Sequence, residues 1–524
     1  MTLSSTLGLL PRSRDAAAPA PAGPARQPWT FRAARLAAAL AGLAAVGVYL
    51  FVALSRLNYP FAVEPLEGNS LIEVHRILAG QPLYPAPGVR FVPDGYPPLY
   101  FYVSALAATV LGGTYLPLRV VSLVSSLACF ALLGGLVRRE TGSAAAGAGA
   151  AGVFAATYFA TGAWFDVGRV DSLFLALSIA ALYAVRTMHG TRGAVAAGLL
   201  LAAAALTKQT GLAETAAVLA VLLPTPRRRL AVVAALTWAA AFGAATLAIW
   251  QADGRWYLFY VFELMRKQAL TYGNFGWFWT LLLTALGLAA CAALIGARRV
   301  PRELLAGCAA LVVEGYATLV HSGGSVNDVL PAYLAVALLA GLALGSQVRW
   351  VTAVAGLLVL AQTVLLLAVA HPSQAIPASA DRAAGERLAA GMRALGGDVY
   401  VPAEPALSLL AGTTPSAHPG AVYDVMRASD KSAIERYRGS AEAAVAARRY
   451  SAIISDGAGP PLYDPPDLTR DYEECLQPLP AGPGTLLVPV AQSGPRPAVV
   501  WIPRGGRTCQ SVIGVLNGGA GAGS

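Results

Sequence analysis

Apolar runs near twenty residues recur from Arg35 to Ala370, and no other feature constrains the fold as strongly. Each is long enough to cross a hydrocarbon core as a helix. That core holds no water, so a spanning segment must satisfy its own backbone, which makes these runs helices and not open strands. Hydrophobic residues make up 56% of the 524-residue chain and charged residues only 13%, far from a soluble composition. The expected fold class is a polytopic α-helical membrane protein. Residues 1–32, rich in Ala, Pro and Arg, read as a disordered basic cytoplasmic tail. They do not read as a cleaved signal, so the first run, Leu36–Leu54, stays as a span.

Charge placement orients the spans. Residues 371–524 carry 13 Lys and Arg against 14 Asp and Glu, which leaves 25 against 14 for the rest. Excess basic charge in a membrane part marks cytoplasmic loops. No basic face interleaved with aromatics points to nucleic acid, and none is expected as a partner. Clusters at Arg12–Arg35, Arg138–Arg139, Arg186–Arg192, Arg227–Arg229, Arg298–Arg302 and Arg349 set one group of loops inside. Alternation puts residues 164–171, 207–211, 251–274 and 321–328 outside, with the C-terminal region. Two apolar runs, 98–110 and 116–137, conflict with the odd number of crossings required there. Counting them as one net crossing gives about eleven spans in a transmembrane domain of residues 33–370, whose first external loop is 55–97. The expected location is the inner (plasma) membrane, with the N-terminus cytoplasmic.

After residue 370 the pattern changes. Asp381–Leu395 and Ser432–Arg448 read as helices, and Asp398–Pro402, Tyr450–Ser455, Thr485–Val490 and Ala498–Ile502 as strands. A small α/β extracytoplasmic domain over 371–516 follows, with a Gly-rich tail at 517–524. Cys475 and Cys509 both fall in it, where a disulfide persists if the compartment is oxidising. Their pairing stays open at this level.

The polar residues assigned to the outer side are the functional candidates, because charge beside a membrane core costs several kcal/mol unless it is paired or used. The most polar interval of the first hundred residues, Val63–Leu99, holds Glu64, Glu67, Glu73, His75 and Arg76. Later loops add Asp166, Arg169, Asp171, Lys208, His321, Asn327 and Asp328. Acid and base on one face suit sugar transfer from a lipid phosphate. A carboxylate takes the acceptor proton, and Lys or Arg stabilises the phosphate left behind. Each residue also has a plain structural explanation. Arg169 and Asp171 would make a helix-end ion pair, Lys208 would snorkel, and His321 would be an ordinary loop residue. Spacing alone leaves a transferase, a transporter or flippase of lipid-linked sugars, and an assembly protein with a polymer-binding outer domain all open. Charges gathered at one face without a repeat favour the enzyme over the transporter.

An ordered series of motifs narrows this. Glu67-Gly68 follows the first span, with Arg76 nine residues on in EVHRILAGQPLY. Then come Tyr96-Pro97-Pro98-Leu99-Tyr100, Arg119 at the start of a long run, GRVDSLFLALSIAALY with Asp171, LTKQTG with Lys208, and GGSVNDVLPAYLA with Asn327. Over residues 33–370 the chain resembles the GT-C superfamily of membrane glycosyltransferases, in the bacterial branch related to protein O-mannosyltransferases and lipid A aminoarabinose transferases. The resemblance implies a polyprenyl-phosphate-linked sugar as donor, an extracytoplasmic acceptor, and an inverting single displacement with Glu67 as general base. Glu64 is a rival, since the family often has Asp-Glu where this chain has Leu66-Glu67. Many relatives carry Lys before the Pro-Pro pair, where this chain has Tyr96. Arg169 and Lys208 are therefore expected to contact the donor phosphate, an inference from this chain and not from the family. Arg76, Tyr96, Asp166, Asp171, His321 and Asn327 are expected to line the cavity, contact the acceptor or brace the site. Glu67, Asp166 and Asp171 are the only candidates for a metal site, and neither metal nor other cofactor is predicted.

Overall fold

The computed structural model describes residues 29–402, 404–455, 468–475 and 499–518. The expected strand 485–490 and nearly all of both tails lie outside them. Among the described residues, nine helices are long and apolar enough to cross a membrane. The first helices are α1 (Trp29–Arg56), α2 (Glu67–Leu78), α3 (Leu99–Leu111), α4 (Tyr115–Thr141) and α5 (Ala144–Ala156). Next come α6 (Asp171–Thr187), α7 (Gly190–Thr207), α8 (Gly211–Leu222) and α9 (Arg228–Asp253). Short helices α10 (Arg255–Leu258) and α11 (Leu264–Lys267) flank a π-turn and lead to α12 (Tyr272–Gly296), α13 (Arg302–Val320), α14 (Leu330–Leu344) and α15 (Arg349–Ala368). Two of the eleven expected crossings are not among these nine: they fall on α6 and α8, which have only 17 and 12 residues. The ambiguous interval before residue 137 resolves into α3, whose 13 residues reach only about 20 Å, and the full-length α4.

Small residues set the closest helix approaches, as expected where lipid offers no hydrophobic drive between helices. A Cβ on Gly152 of α5 would collide with the Gly42 backbone of α1, and one on Gly147 with Gly134 of α4. The basic helix ends gather at one face of the bundle. Arg186 bridges Glu140 (2.8 Å) and Glu303 (2.6 Å), Arg227 joins Glu303 (3.0 Å), and Arg35 donates to the carbonyls of Leu344 and Ser346. The other face holds the long loops and the C-terminal region.

That region begins with α16 (Ser379–Leu395) and carries β1 (Asp398–Tyr400), α17 (Pro405–Leu410), α18 (Pro419–Arg427), α19 (Lys431–Ala446), β2 (Tyr450–Ser455), β3 (Tyr472–Glu474), β4 (Val499–Pro503) and α20 (Cys509–Leu516). The four strands form one sheet in the order β1-β2-β4-β3, parallel only between β1 and β2. Cys475 and Cys509 form a disulfide beside it. Alternation along the strands sends Val399, Ala452, Ile454, Val500 and Ile502 to one face and Tyr400, Ile453 and Trp501 to the other. Both faces pack on the membrane part. The first joins Phe61, Val63 and Val167 in one core; the second joins Leu71, Ile72, Val89 and Tyr260. The α/β region and the first loop thus fold as a shared core.

One irregularity within the bundle has a clear satisfaction partner. Leu286 breaks helical geometry inside α12, and nearby the Leu288 N–H donates to Oε1 of buried Gln362 on α15 at 2.9 Å. A polar side chain inserted at a kink meets a backbone group that the helix leaves free. Gln362→Leu should cost about 1–3 kcal/mol, seen as a lower thermal unfolding midpoint in detergent. An unchanged midpoint would show that the kink needs no partner.

Candidate functional site

A cavity of about 360 Å³ lies where the loop-bearing face of the bundle meets the C-terminal region. Its walls include Leu66; Asp94, Gly95 and Tyr96 before α3; Arg169 before α6; Lys208, Gln209 and Thr210 in the break between α7 and α8; Met265 and Gln268 at the end of α11; and the end of α13 with His321–Gly324 and Asp328 after it. Residues of α18 close the remaining side. The α7–α8 break places a cation here because Lys208 is extended (φ −144°, ψ 125°) and ends α7.

Arg169 is the centre of the site. Its guanidinium is buried against Tyr96 and Trp164, at 5.5 and 6.0 Å from the ring centroids. Nη2 donates to the Tyr96 hydroxyl at 3.3 Å. Nη1 stands 3.5 Å from Asp94 Oδ2 and 3.8 Å from Glu64 Oε2, too far for hydrogen bonds. Nη1 and Nε, Asp94 Oδ2 and Glu64 Oε2 are all buried without a hydrogen-bond partner. Burial opposes the guanidinium charge, but Glu64, Tyr96, Asp94 and Asp171 outweigh it and raise its pKa. Burial pushes Glu64 up to about 7 and raises Asp94, with Arg169 pulling both down. One buried cation is thus surrounded by unfilled donors and acceptors, an arrangement that native proteins seldom leave without a partner.

Lys208 is the second cation. Nζ lies 3.0 Å from Asp171 and 3.5 Å from Asp328. Burial opposes its charge, and Asp171 and then Asp328 overcome that, so its pKa is raised. Asp171 is itself fixed by Trp164 Nε1 at 2.8 Å and Asn327 Nδ2 at 3.4 Å. Asp171 and Asn327 therefore hold Lys208 in place and do not line the cavity.

The structure separates the remaining predicted residues. Tyr96 and His321 line the cavity. Asp166 takes Arg56 Nε and Nη2, both at 2.7 Å, with the Tyr158 hydroxyl, and belongs to the helix core. Arg76 donates to the Pro82 carbonyl and stacks over Phe91, on another surface. Glu67 is fully buried and holds four hydrogen bonds. Oε1 accepts from Arg119 Nε and Gly168 N, and Oε2 from Arg119 Nη2 and Val63 N, all at 2.8–2.9 Å. A carboxylate so occupied has no free lone pair for an acceptor proton, and the geometry does not suit it as the base. Glu67, Asp166 and Asp171, the metal candidates, each pair with a different cation. Among the described residues no group of three His, Cys, Asp or Glu has a metal-binding arrangement.

Sequence reasoning passed over Asp94, although it stands two residues before the Tyr96-Pro97-Pro98 motif. It also passed over the fork from Arg119 to Glu67. Neither partner of that fork signals the other across 52 positions. Gly168 permits the fork, since a Cβ there would meet Glu67 Oε1 at 2.9 Å.

Residues 95–251 match the family model described as dolichyl-phosphate-mannose-protein mannosyltransferase. The chain is also similar to the crystal structure of ArnT from Cupriavidus metallidurans bound to undecaprenyl phosphate. The identity is 14% and the TM-score 0.53, over 73% of this chain and 87% of that one. Its apo state matches at 13% identity and a TM-score of 0.54, over 88% and 97%. No curated protein matches. At these identities the structural likeness is one of fold, and the fold is that of ArnT.

The Glu67–Arg119 fork generates a stability prediction. Glu67→Gln leaves Arg119 buried without its counter-charge and turns an amide N–H₂ toward existing donors. It should destabilise the protein by about 3–5 kcal/mol, read as a large fall in unfolding midpoint. Normal stability with abolished chemistry would instead return Glu67 to the role of base.

Proposed function

We propose that this protein transfers a sugar from a polyprenyl-phosphate donor to an acceptor outside the cytoplasm. One observation carries the reading: buried Arg169 with unfilled N–H donors, flanked by carboxylates with unfilled oxygens, in a cavity that also holds Lys208. The fold shared with ArnT, whose structure holds undecaprenyl phosphate, supports a lipid-phosphate ligand. The basic helix ends on the opposite face support a cytoplasmic N-terminus, with the cavity on the outer side of the plasma membrane.

In this reading the donor phosphate lies against Arg169 and Lys208. Asp94 is a lining residue of the cavity and its carboxylate takes the acceptor's proton, and Glu64 is the second carboxylate beside Arg169. The acceptor oxygen attacks the anomeric carbon as the bond from that carbon to the phosphate oxygen breaks. The electron pair leaves with the phosphate, and the configuration inverts. Phosphate is a competent leaving group, so its growing charge needs cations more than a proton. Arg169 and Lys208 supply two positive charges, and the step as drawn uses side chains alone.

Asp94→Asn should reduce transfer by about 10²–10⁴-fold while leaving undecaprenyl phosphate binding near normal. The reactive form is the carboxylate and burial raises its pKa. The rate should therefore climb with pH, along a limb above the ordinary aspartate value of about 3.9, and Asp94→Asn should lose that limb. Lys208→Ala and Arg169→Ala should each weaken carrier-phosphate binding, and chelators should leave the rate unchanged. Full activity in Asp94→Asn would overturn the assignment of the base. Unaltered carrier binding in both cation variants would overturn the site.

A further inference from the structure

We propose that α18 of the C-terminal region is the sugar-reading wall of this cavity, with Asp424 and Arg427 bonding the ring hydroxyls of the donor's sugar. The inference rests on the function proposed above and adds which residues choose the sugar.

The pattern of α18 supports this first. Val422 and Val425 are buried in the core shared with the first loop, and Ala421, also buried there, reaches the edge of the cavity. Gly420, Tyr423, Asp424 and Arg427, spaced three and four apart, fall on one face and line the cavity. A helix anchored by one face on the membrane part and turned by the other to the cavity is a wall of the site.

The polar groups on that wall have spare capacity. Asp424 Oδ1 accepts from Gln268 Nε2 at 3.3 Å and from Arg427 Nη2, while Oδ2 makes no hydrogen bond among the described residues. Arg427 lies over the Tyr423 ring at 4.1 Å, and its buried Nε has no partner. Its tip reaches the loop after α13, where Gly323 (φ +97°) leaves the space a side chain would fill. In that loop His321 Nδ1 and Ser322 Oγ are also buried without partners. A carboxylate beside a guanidinium presents an acceptor next to donors. Neighbouring sugar hydroxyls, which each donate and accept, match this pair. Burial raises Asp424 to about 6, and Arg427 opposes the rise, so the carboxylate predominates near neutral pH.

Position identifies the occupant. The phosphate cations Arg169 and Lys208 line the same cavity as α18. The sugar is joined directly to the phosphate, so a donor seated on the cations carries its ring into the remaining space, toward this wall.

The test titrates the full-length protein with undecaprenyl phosphate, bare and carrying mannose, galactose or arabinose. Wild type should bind at least one sugar-bearing form more tightly than the bare carrier. Asp424→Asn and Arg427→Gln should each erase that gain, a loss of about tenfold, with bare-carrier affinity and unfolding midpoint preserved; Arg427→Lys should recover part of it. The inference is overturned if no sugar-bearing form exceeds the bare carrier, or if the gain survives in both variants. It is also overturned if the variants weaken bare and sugar-bearing carrier equally. Lys208→Ala separates the two proposals, since it should weaken both forms alike. If bare-carrier binding survives both Lys208→Ala and Arg169→Ala, the phosphate assignment fails independently of α18.

Discussion

The site depends on a buried fork between Arg119 and Glu67. Arg119 gives Nε and Nη2 to the carboxylate and its other donors to the carbonyls of Arg56, Tyr59 and Phe61. One side chain thereby gathers the end of α1, the descending loop and the start of α2 onto α4. Glu67 extends the knot to Val63 and, through Gly168, to the loop before α6. A buried ion pair of this kind is not by itself a source of net stability. Its use here is geometric, because every lone pair and donor in it specifies a chain position.

From that knot the cavity follows. Arg169 is the residue after Gly168, and Glu64 lies three before Glu67, so fixing Glu67 brings guanidinium and carboxylate together. Arg169 and Glu64 each keep unfilled atoms where Glu67 and Arg119 are saturated. The contrast is between a closed pair and an open one, although both are buried and both join an Arg to a Glu. Lys208 has its own brace in Asp171, Trp164 and Asn327, so the second cation is held without using the first loop.

The C-terminal region is bound into this arrangement. Both faces of its sheet complete cores begun by the first loop, and polar ties between Lys267 and Asp430 and between Arg255 and Ser432 seal the edge. Arg255 and Lys267, in the segment 251–274 assigned outside, make this seam and do not line the cavity. The region reads from sequence as a separate α/β domain because alternation in β1, β2 and β4 is local. That its apolar faces meet residues 61–91 is a long-range fact with no local trace.

What the sequence determined by itself was what short-range chemistry can encode. Run length in a waterless solvent dictated helices, and clustered arginines sorted the loops to two faces, as the Arg186, Glu140 and Glu303 contacts bear out. Strand alternation announced the small sheet, and an ordered string of motifs pointed to the superfamily's fold. Tertiary structure alone decided which charges neutralise one another. Glu64, Glu67 and Asp94 are all acids of one loop, and nothing local says that Arg119 will saturate the second while Arg169 leaves the others open. Pairing between buried charges is settled by distance and desolvation across tens to hundreds of positions, and those exist only once the chain has folded.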